Sequence, residues 1–258
     1  MNEVSLPNDL INDAPKDILL YDYVTKKDSQ KQFINLKMNT FSFLQEGKKE
    51  VFTNNNRIEI GNQSFLVMKS GHCLMTEETS SPDQKQYRSM LLFFSNQAVL
   101  DFLRRHPRPS QTAHEFAACS IAYDDFIQSF VSSLQQISRL PSQQQYPLLK
   151  SKFDEIMLYL INVRQVDFLP SLLASSNQEQ SFLSVVEVNK FNRLTLSELA
   201  FLCNMSVSSF KRNFTKHYSE SPSKWFQSQR LQYAAHLLQK EKKRPSELSM
   251  SIAPGSGT

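Results

Sequence analysis

Between Thr195 and Lys240 the chain carries polar and cationic side chains at a spacing suited to touching a nucleic acid. Ser208, Lys211, Arg212 and Thr215 recur at i, i+3, i+4 and i+7, which is one face of an α-helix. Val207, Phe210 and Phe214 fall on the other face. In a major groove Arg and Lys donate to guanine edges, Ser serves either base type, and further cations neutralise phosphates. A helix of this kind must be sealed along its apolar back, so its neighbours decide whether the front is free.

Those neighbours are written into the same stretch. Thr195-Leu196-Ser197-Glu198 spells a capping box, in which Thr caps the backbone and Glu reaches back. Leu196, Leu199, Ala200 and Cys203 then form the apolar stripe of a first helix. Asn204-Met205 makes a turn, and Ser206 is placed to cap the second helix. Ser221-Pro222 opens a third, with proline at its first position and Leu231, Ala234, Ala235 and Leu238 as the expected buried stripe. Two short helices joined by a tight turn, the second apolar behind and basic in front, make a helix-turn-helix pattern. The competing reading of the same pattern is a small helical bundle with a solvated basic face.

The run from Leu196 to Leu238 resembles the first helix-turn-helix of AraC-type transcription regulators. The matching spellings are Leu-x-x-Leu-Ala in the first helix and Ser-x-x-x-Phe-x-x-x-Phe through the second. They continue through Ser-Pro, the pair Trp225-Phe226, and Arg230-Leu231 followed by Ala234 and Leu237-Leu238. The resemblance implies base contacts from Ser208, Lys211 and Arg212, and phosphate contacts from Ser206, Lys216 and Lys224. Arg230 is expected to hold the third helix to its neighbours. Within the family, the N-terminal half and the wording NFTKHYSESPSKWFQSQRL are most similar to ExsA-type activators of type III secretion genes, which answer to a protein anti-activator rather than a sugar.

Charge is distributed as such a protein requires. The 258 residues carry a net charge of only +4, but from Lys190 to Arg244 eleven Lys or Arg face three acids, Glu198, Glu220 and Glu241. That segment is about +8, so the rest is slightly acidic, the footprint of a basic domain attached to a near-neutral one. A hydrophobic content of 40% and a charged content of 21% fit a soluble globular protein of one large domain or two ordinary ones. Cys73, Cys119 and Cys203 stand far apart without a CxxC pair, which fits a reducing cytoplasm and neither a disulfide framework nor a zinc cluster. The start, MNEVSLPNDL, has neither the basic opening nor the apolar run of a signal peptide, and no apolar stretch approaches a membrane span.

Residues 1 to about 16 are polar and are expected to be loose. From Asp17 to Ser95 short apolar runs predict strands at 18–23, 33–38, 40–44, 51–53, 57–60, 64–68 and 87–94. Turn spellings separate them, among them Glu46-Gly47, Asn54-Asn55-Asn56, Ser70-Gly71 and Ser80-Ser81-Pro82-Asp83. Many short strands close together suggest a sandwich or small barrel, and the resemblance implies a cupin-like one. His72 is the only histidine of this segment, so no metal and no other cofactor is expected. The barrel interior is expected to be filled by the chain's own Phe, Leu and Met, with a small-molecule pocket as the alternative.

From Asn96 the pattern turns helical, through Val99, Phe102 and Leu103, then Phe126, Phe130 and Leu134, then Leu149, Phe153, Ile156, Met157 and Leu160. These helices either cover the barrel or, as the resemblance implies, form a dimerising hairpin. Enzyme motifs are absent: the five glycines build no phosphate loop, His114-Glu115 lacks a second histidine, and no Gly-x-Ser-x-Gly occurs.

The expected architecture is therefore α+β: an N-terminal cupin-like barrel with a helical hairpin (1–170), a linker (171–180), and a helix-turn-helix DNA-binding domain (181–244). Where the family carries a second helix-turn-helix, residues 245–258 read PSELSMSIAPGSGT without helical period, so the domain is expected to be truncated and the tail aberrant. The expected function is a cytoplasmic, non-enzymatic transcription regulator, activating type III secretion genes through the helix 206–217. The alternative is a shortened, DNA-binding-impaired regulator acting through protein contacts or dimerisation. Partners on either reading are promoter DNA, RNA polymerase, a protein anti-activator and a second copy of the chain, with no membrane.

Overall fold

The computed structural model describes residues 3–11, 16–80, 86–107, 116–166, 168–173 and 177–240, with no account of the side chains of 170, 236 and 238–240. The turn at 81–83, the His114-Glu115 pair and the tail 245–258 lie outside the described residues. The chain divides into two compact units, Met1–Thr53 with Arg57–Ser175, and Asn54–Asn56 with Ser176–Thr258.

Among the described residues, the first unit has ten strands in two five-stranded sheets. One sheet has the order β1 (Glu3–Leu6), β3 (Ser29–Leu36), β8 (Gly71–Glu78), β5 (Lys48–Phe52), β6 (Arg57–Ile60). The other has the order β10 (Ala118–Ala122), β7 (Ser64–Met68), β4 (Asn39–Glu46), β9 (Tyr87–Phe94), β2 (Ile18–Thr25). Every pairing is antiparallel except β1 on β3.

The second sheet is buried on both faces, and this explains its wording. Phe41, Phe43, Phe65, Met90, Leu92 and Phe94 face a layer of helices. Their sequence neighbours Leu44, Leu66, Leu91 and Phe93 face the barrel interior. A strand covered on both sides needs no polar alternation, so β9 reads Met-Leu-Leu-Phe-Phe without a break. The helices on the outer face are α1 (Asn96–Arg105), α2 (Asp125–Ser138), α3 (Ser142–Leu158) running into a π-helical turn at Tyr159–Val163, and α4 (Leu169–Leu173). Phe130, Leu134, Leu149, Phe153, Ile156, Met157 and Leu160 are all buried there, as their spacing predicts. Phe126 stacks on Tyr159 at 3.8 Å, and Asp124, which caps α2, also accepts from the Tyr159 hydroxyl at 2.6 Å.

Three strands depart from the sequence reading. The polar start is not loose throughout: Glu3–Leu6 pairs in parallel with Phe33–Leu36, an edge position that apolar periodicity does not announce. β8 begins at Gly71, inside a spelling read as a turn, and lies at the centre of its sheet, with only the short apolar run Cys73-Leu74-Met75 between His72 and Glu77. β10, Ala-Cys-Ser-Ile-Ala, is a five-residue edge strand with one large apolar residue, Ile121, inside a stretch read as helical.

The second unit contains α5 (Gln178–Asn189), α6 (Leu196–Leu202), α7 (Val207–Tyr218) and α8 (Pro222–Lys240). The stretch 171–180 is thus helical at both ends, in α4 and α5, and 174–176 lie outside the described residues.

Candidate nucleic-acid interface

The start of α6 is fixed by its cap. The Thr195 hydroxyl accepts from the Glu198 backbone at 3.2 Å, and the Glu198 carboxylate accepts from the Thr195 backbone at 2.6 Å. Leu199, Ala200 and Cys203 are buried behind it, with Leu196 half-buried. The turn closes when Met205 donates its amide to the Ala200 carbonyl at 2.9 Å, with Asn204 at φ 52. Asn tolerates that left-handed backbone better than most residues. Asn213 of α7 reaches back to the Met205 sulfur at 3.5 Å.

Ser206 then caps α7, accepting from the Ser209 amide at 3.1 Å and donating to the Ser209 hydroxyl at 3.0 Å. Phe210 and Phe214 are fully buried, and Ser208, Lys211, Arg212, Thr215 and Lys216 are exposed. No ion pair among the described residues occupies Lys211, Arg212 or Lys216. The front of α7 therefore presents solvated donors over about two turns.

Of the residues expected at phosphates, Lys216 stands in the last turn of α7 and Ser206 at its cap. Lys224 is on α8 and donates to Glu220 at 2.8 Å, and that carboxylate holds the ammonium above its ordinary value. An exposed pair of this sort contributes little. Arg230 is half-buried on α8.

The back of α7 is held by an aromatic hub that the sequence reading touched only in part. Phe214 lies 4.5 Å from Tyr218, 5.5 Å from Trp225, 5.6 Å from Phe226, 5.9 Å from Phe210 and 6.4 Å from Phe182 between ring centres. Phe182 belongs to α5, as does Glu187, whose carboxylate accepts from the Tyr218 hydroxyl at 3.3 Å. Burial first, then Glu187, pushes that hydroxyl up to about 12.

This hub also corrects the third helix. Pro222, Phe226 and Leu237 are buried, whereas Leu231 is 62% exposed, Ala235 is exposed and Ala234 half-buried. Leu238 lies outside the side chains described. Trp225 and Phe226 dock on Phe214 and Tyr218, and that contact sets the rotation of α8. At 3.6 residues per turn Leu231 then stands about two and a half turns from Pro222, on the far side. Leu and Ala periodicity alone could not register the large rings.

The first unit is thus a two-sheet barrel with covering helices, and the second a helix-turn-helix unit. The chain belongs to the family of the ExsA N-terminal regulatory domain, whose sequence model matches residues 39–170. Among solved structures it is similar to unsaturated fatty acid bound ToxT from Vibrio cholerae strain SCE256, at 13% identity and TM-score 0.46, covering 95% of this chain and 90% of that one. It is also similar to the AraC-like transcriptional activator CuxR, at 12% identity and TM-score 0.36, covering 86% and 78%. No curated protein matches the chain. No described helix is long and apolar enough to cross a membrane, and no described cluster of His, Cys, Asp and Glu is placed to hold a metal ion.

Proposed function

We propose that the chain binds promoter DNA through α7 and activates type III secretion genes, with its barrel domain answering to a protein partner. One observation carries the DNA-binding half: α7 is sealed behind by Phe210 and Phe214 and presents Ser208, Lys211 and Arg212 to solvent in front. Such a front enters a major groove and donates to base edges. Lys216 and Lys224 then neutralise the flanking phosphates, Lys224 by exchanging Glu220 for a phosphate, and Ser206 at the capped first turn makes a neutral contact to another. Membership of the ExsA regulatory-domain family supports the choice of target genes and of a protein anti-activator as effector.

Gel shifts with a type III secretion promoter and a scrambled duplex of equal length test this assignment. Lys211→Ala and Arg212→Ala should each cost about 1–3 kcal/mol on the promoter and far less on the scrambled duplex, because a base contact is lost. Lys216→Ala should weaken both duplexes alike and lower the salt slope by about one unit. Equal losses on both duplexes for all three variants would remove α7 from the reading role.

A dimer of the chain would carry two α7 helices, as many as two half-sites about 34 Å apart require. Leu140 and Leu148 support the α2–α3 hairpin as the surface, since both are large apolar side chains left 36% and 43% exposed. Leu148→Arg should shift the full chain toward monomer in sedimentation, weakening self-association about tenfold or more. An unchanged mass distribution would move the dimer contact elsewhere.

A further inference from the structure

Four strands end the two sheets of the first unit, and one of them is unlike the others. β1 and β6 have four residues each and β10 has five, whereas β2 has eight. Among the described residues β2 pairs only with β9, from Ile18 on Phe94 to Thr25 on Tyr87 without a bulge. Its sequence, ILLYDYVT, contains no proline and no lysine. Edge strands are ordinarily blunted by shortness, by bulges or by those two residues, so a long plain edge is a template for another strand. The ladder shows which groups line that edge. Ser95 donates its amide to the Asp17 carbonyl at 2.9 Å, and the register sets these two residues opposite each other. By the alternation of an antiparallel ladder, Leu19, Tyr21 and Tyr23 then bond to β9, and Ile18, Leu20, Asp22 and Val24 turn their N–H and C=O outward.

We infer that this edge pairs with the β2 edge of a second copy of the chain, antiparallel, with Asp22 on the two-fold axis. The inference rests on the proposed dimer of the chain and assigns it a strand contact. Outward groups must meet outward groups, so even-numbered residues oppose even-numbered ones. Among the registers this permits, the one centred on Asp22 sets unlike charges opposite at both ends. Asp17 meets Lys27 of the other copy, and Lys16 meets Asp28. A slip of two residues sets Lys16 against Lys26 in one direction and Leu19 against Lys27 in the other. In the centred register Tyr21 faces Tyr23, and Leu20 faces Val24, which is 48% exposed in the single chain. The two Asp22 carboxylates meet on the axis, but each already holds its own Arg88 guanidinium at 2.7 and 3.0 Å, so the axis is neutral. α2 and α3 lie over β2 on one face of its sheet, and a two-fold axis perpendicular to the joined sheet keeps both copies' helices on that face. Strand pairing and hairpin contact therefore fit one dimer.

Variants of the full chain, read by sedimentation, test the contact. Val24→Pro removes an outward N–H and spares the β9 ladder, so the chain should fold while its self-association weakens about tenfold or more. Lys27→Glu sets an acid against Asp17 at both ends and should weaken self-association about threefold or more, and Asp17→Lys added to it should restore the parent value. In the concentrated parent the amide protons of Leu20, Asp22 and Val24 should exchange as slowly as that of Tyr21. On dilution they should speed up while Tyr21 stays protected. A folded Val24→Pro chain with unchanged self-association would overturn the inference and leave the hairpin dimer standing. Fast exchange at Leu20, Asp22 and Val24 within a dimer would do the same. Where Val24→Pro does not fold, a Lys27→Glu chain with full self-association, or one that Asp17→Lys does not restore, overturns it. A parent chain that stays monomeric as it is concentrated would overturn the dimer itself, and this contact with it.

Discussion

Glu77→Ala should destabilise the first unit by about 3–5 kcal/mol, because it strands a buried cation. Lys49 is 2% exposed, and its ammonium has the Ser42 hydroxyl at 3.1 Å and the Glu77 carboxylate at 3.5 Å. Ser42 in turn shares a hydrogen bond of 3.0 Å with the buried Ser89. Neither hydroxyl can replace the lost negative charge. The same carboxylate bears on two tyrosines: burial first, then Glu77, pushes the Tyr23 hydroxyl up to about 12 and the Tyr87 hydroxyl well above its ordinary value. For a unit of this size the loss corresponds to a fall of roughly 6–20 °C in melting temperature. The double variant Lys49→Met, Glu77→Leu should recover most of it, since a buried ion pair replaced by apolar residues of similar volume is often neutral. Calorimetry on the two variants decides the matter. A single variant within about 1 kcal/mol of the parent would mean that water reaches the pair.

Phe214→Ala should be the most damaging change in the second unit. Its ring has five aromatic neighbours drawn from α5, α7 and α8, and it is fully buried. Truncating a core Phe costs about 3–5 kcal/mol, and a small helical unit has little stability to lose. Unfolding of α5 to α8 should appear as lost helical circular dichroism and as lost DNA binding on every duplex. The matching surface change, Arg212→Ala, should leave the helical signal intact and affect the promoter alone. If Phe214→Ala kept both the helical signal and promoter binding, the hub would not be what holds α7.

These two sites mark what the sequence could and could not disclose. The helix-turn-helix was legible almost to the residue, because its signals are local: the Thr195–Glu198 box, the Ser206 cap and the 210/214 spacing all act within one or two turns. The strands at 57–60, 64–68 and 87–94 were equally plain, being apolar runs bounded by turns. β8 was not, because its inward Glu77 meets Lys49 from β5, and no window of sequence shows that two charges twenty-eight residues apart cancel. The face of α8 was misread for a related reason. Its rotation is set by rings on α7, a contact between helices, whereas Leu and Ala spacing reports only the helix itself. The barrel was expected to be filled by its own side chains, and a space of about 160 Å³ remains. Packing volumes are sums over distant strands.

The most direct test of α7 as the reading element is a photo-crosslink. A benzophenone amino acid placed at Ser208 in the full chain should crosslink the promoter duplex, in a product that excess promoter removes and excess scrambled duplex does not. The same group at Glu59, exposed on β6, serves as the comparison. Promoter binding with no crosslink from Ser208, or a Ser208 crosslink that scrambled duplex removes equally well, would contradict sequence reading by this helix.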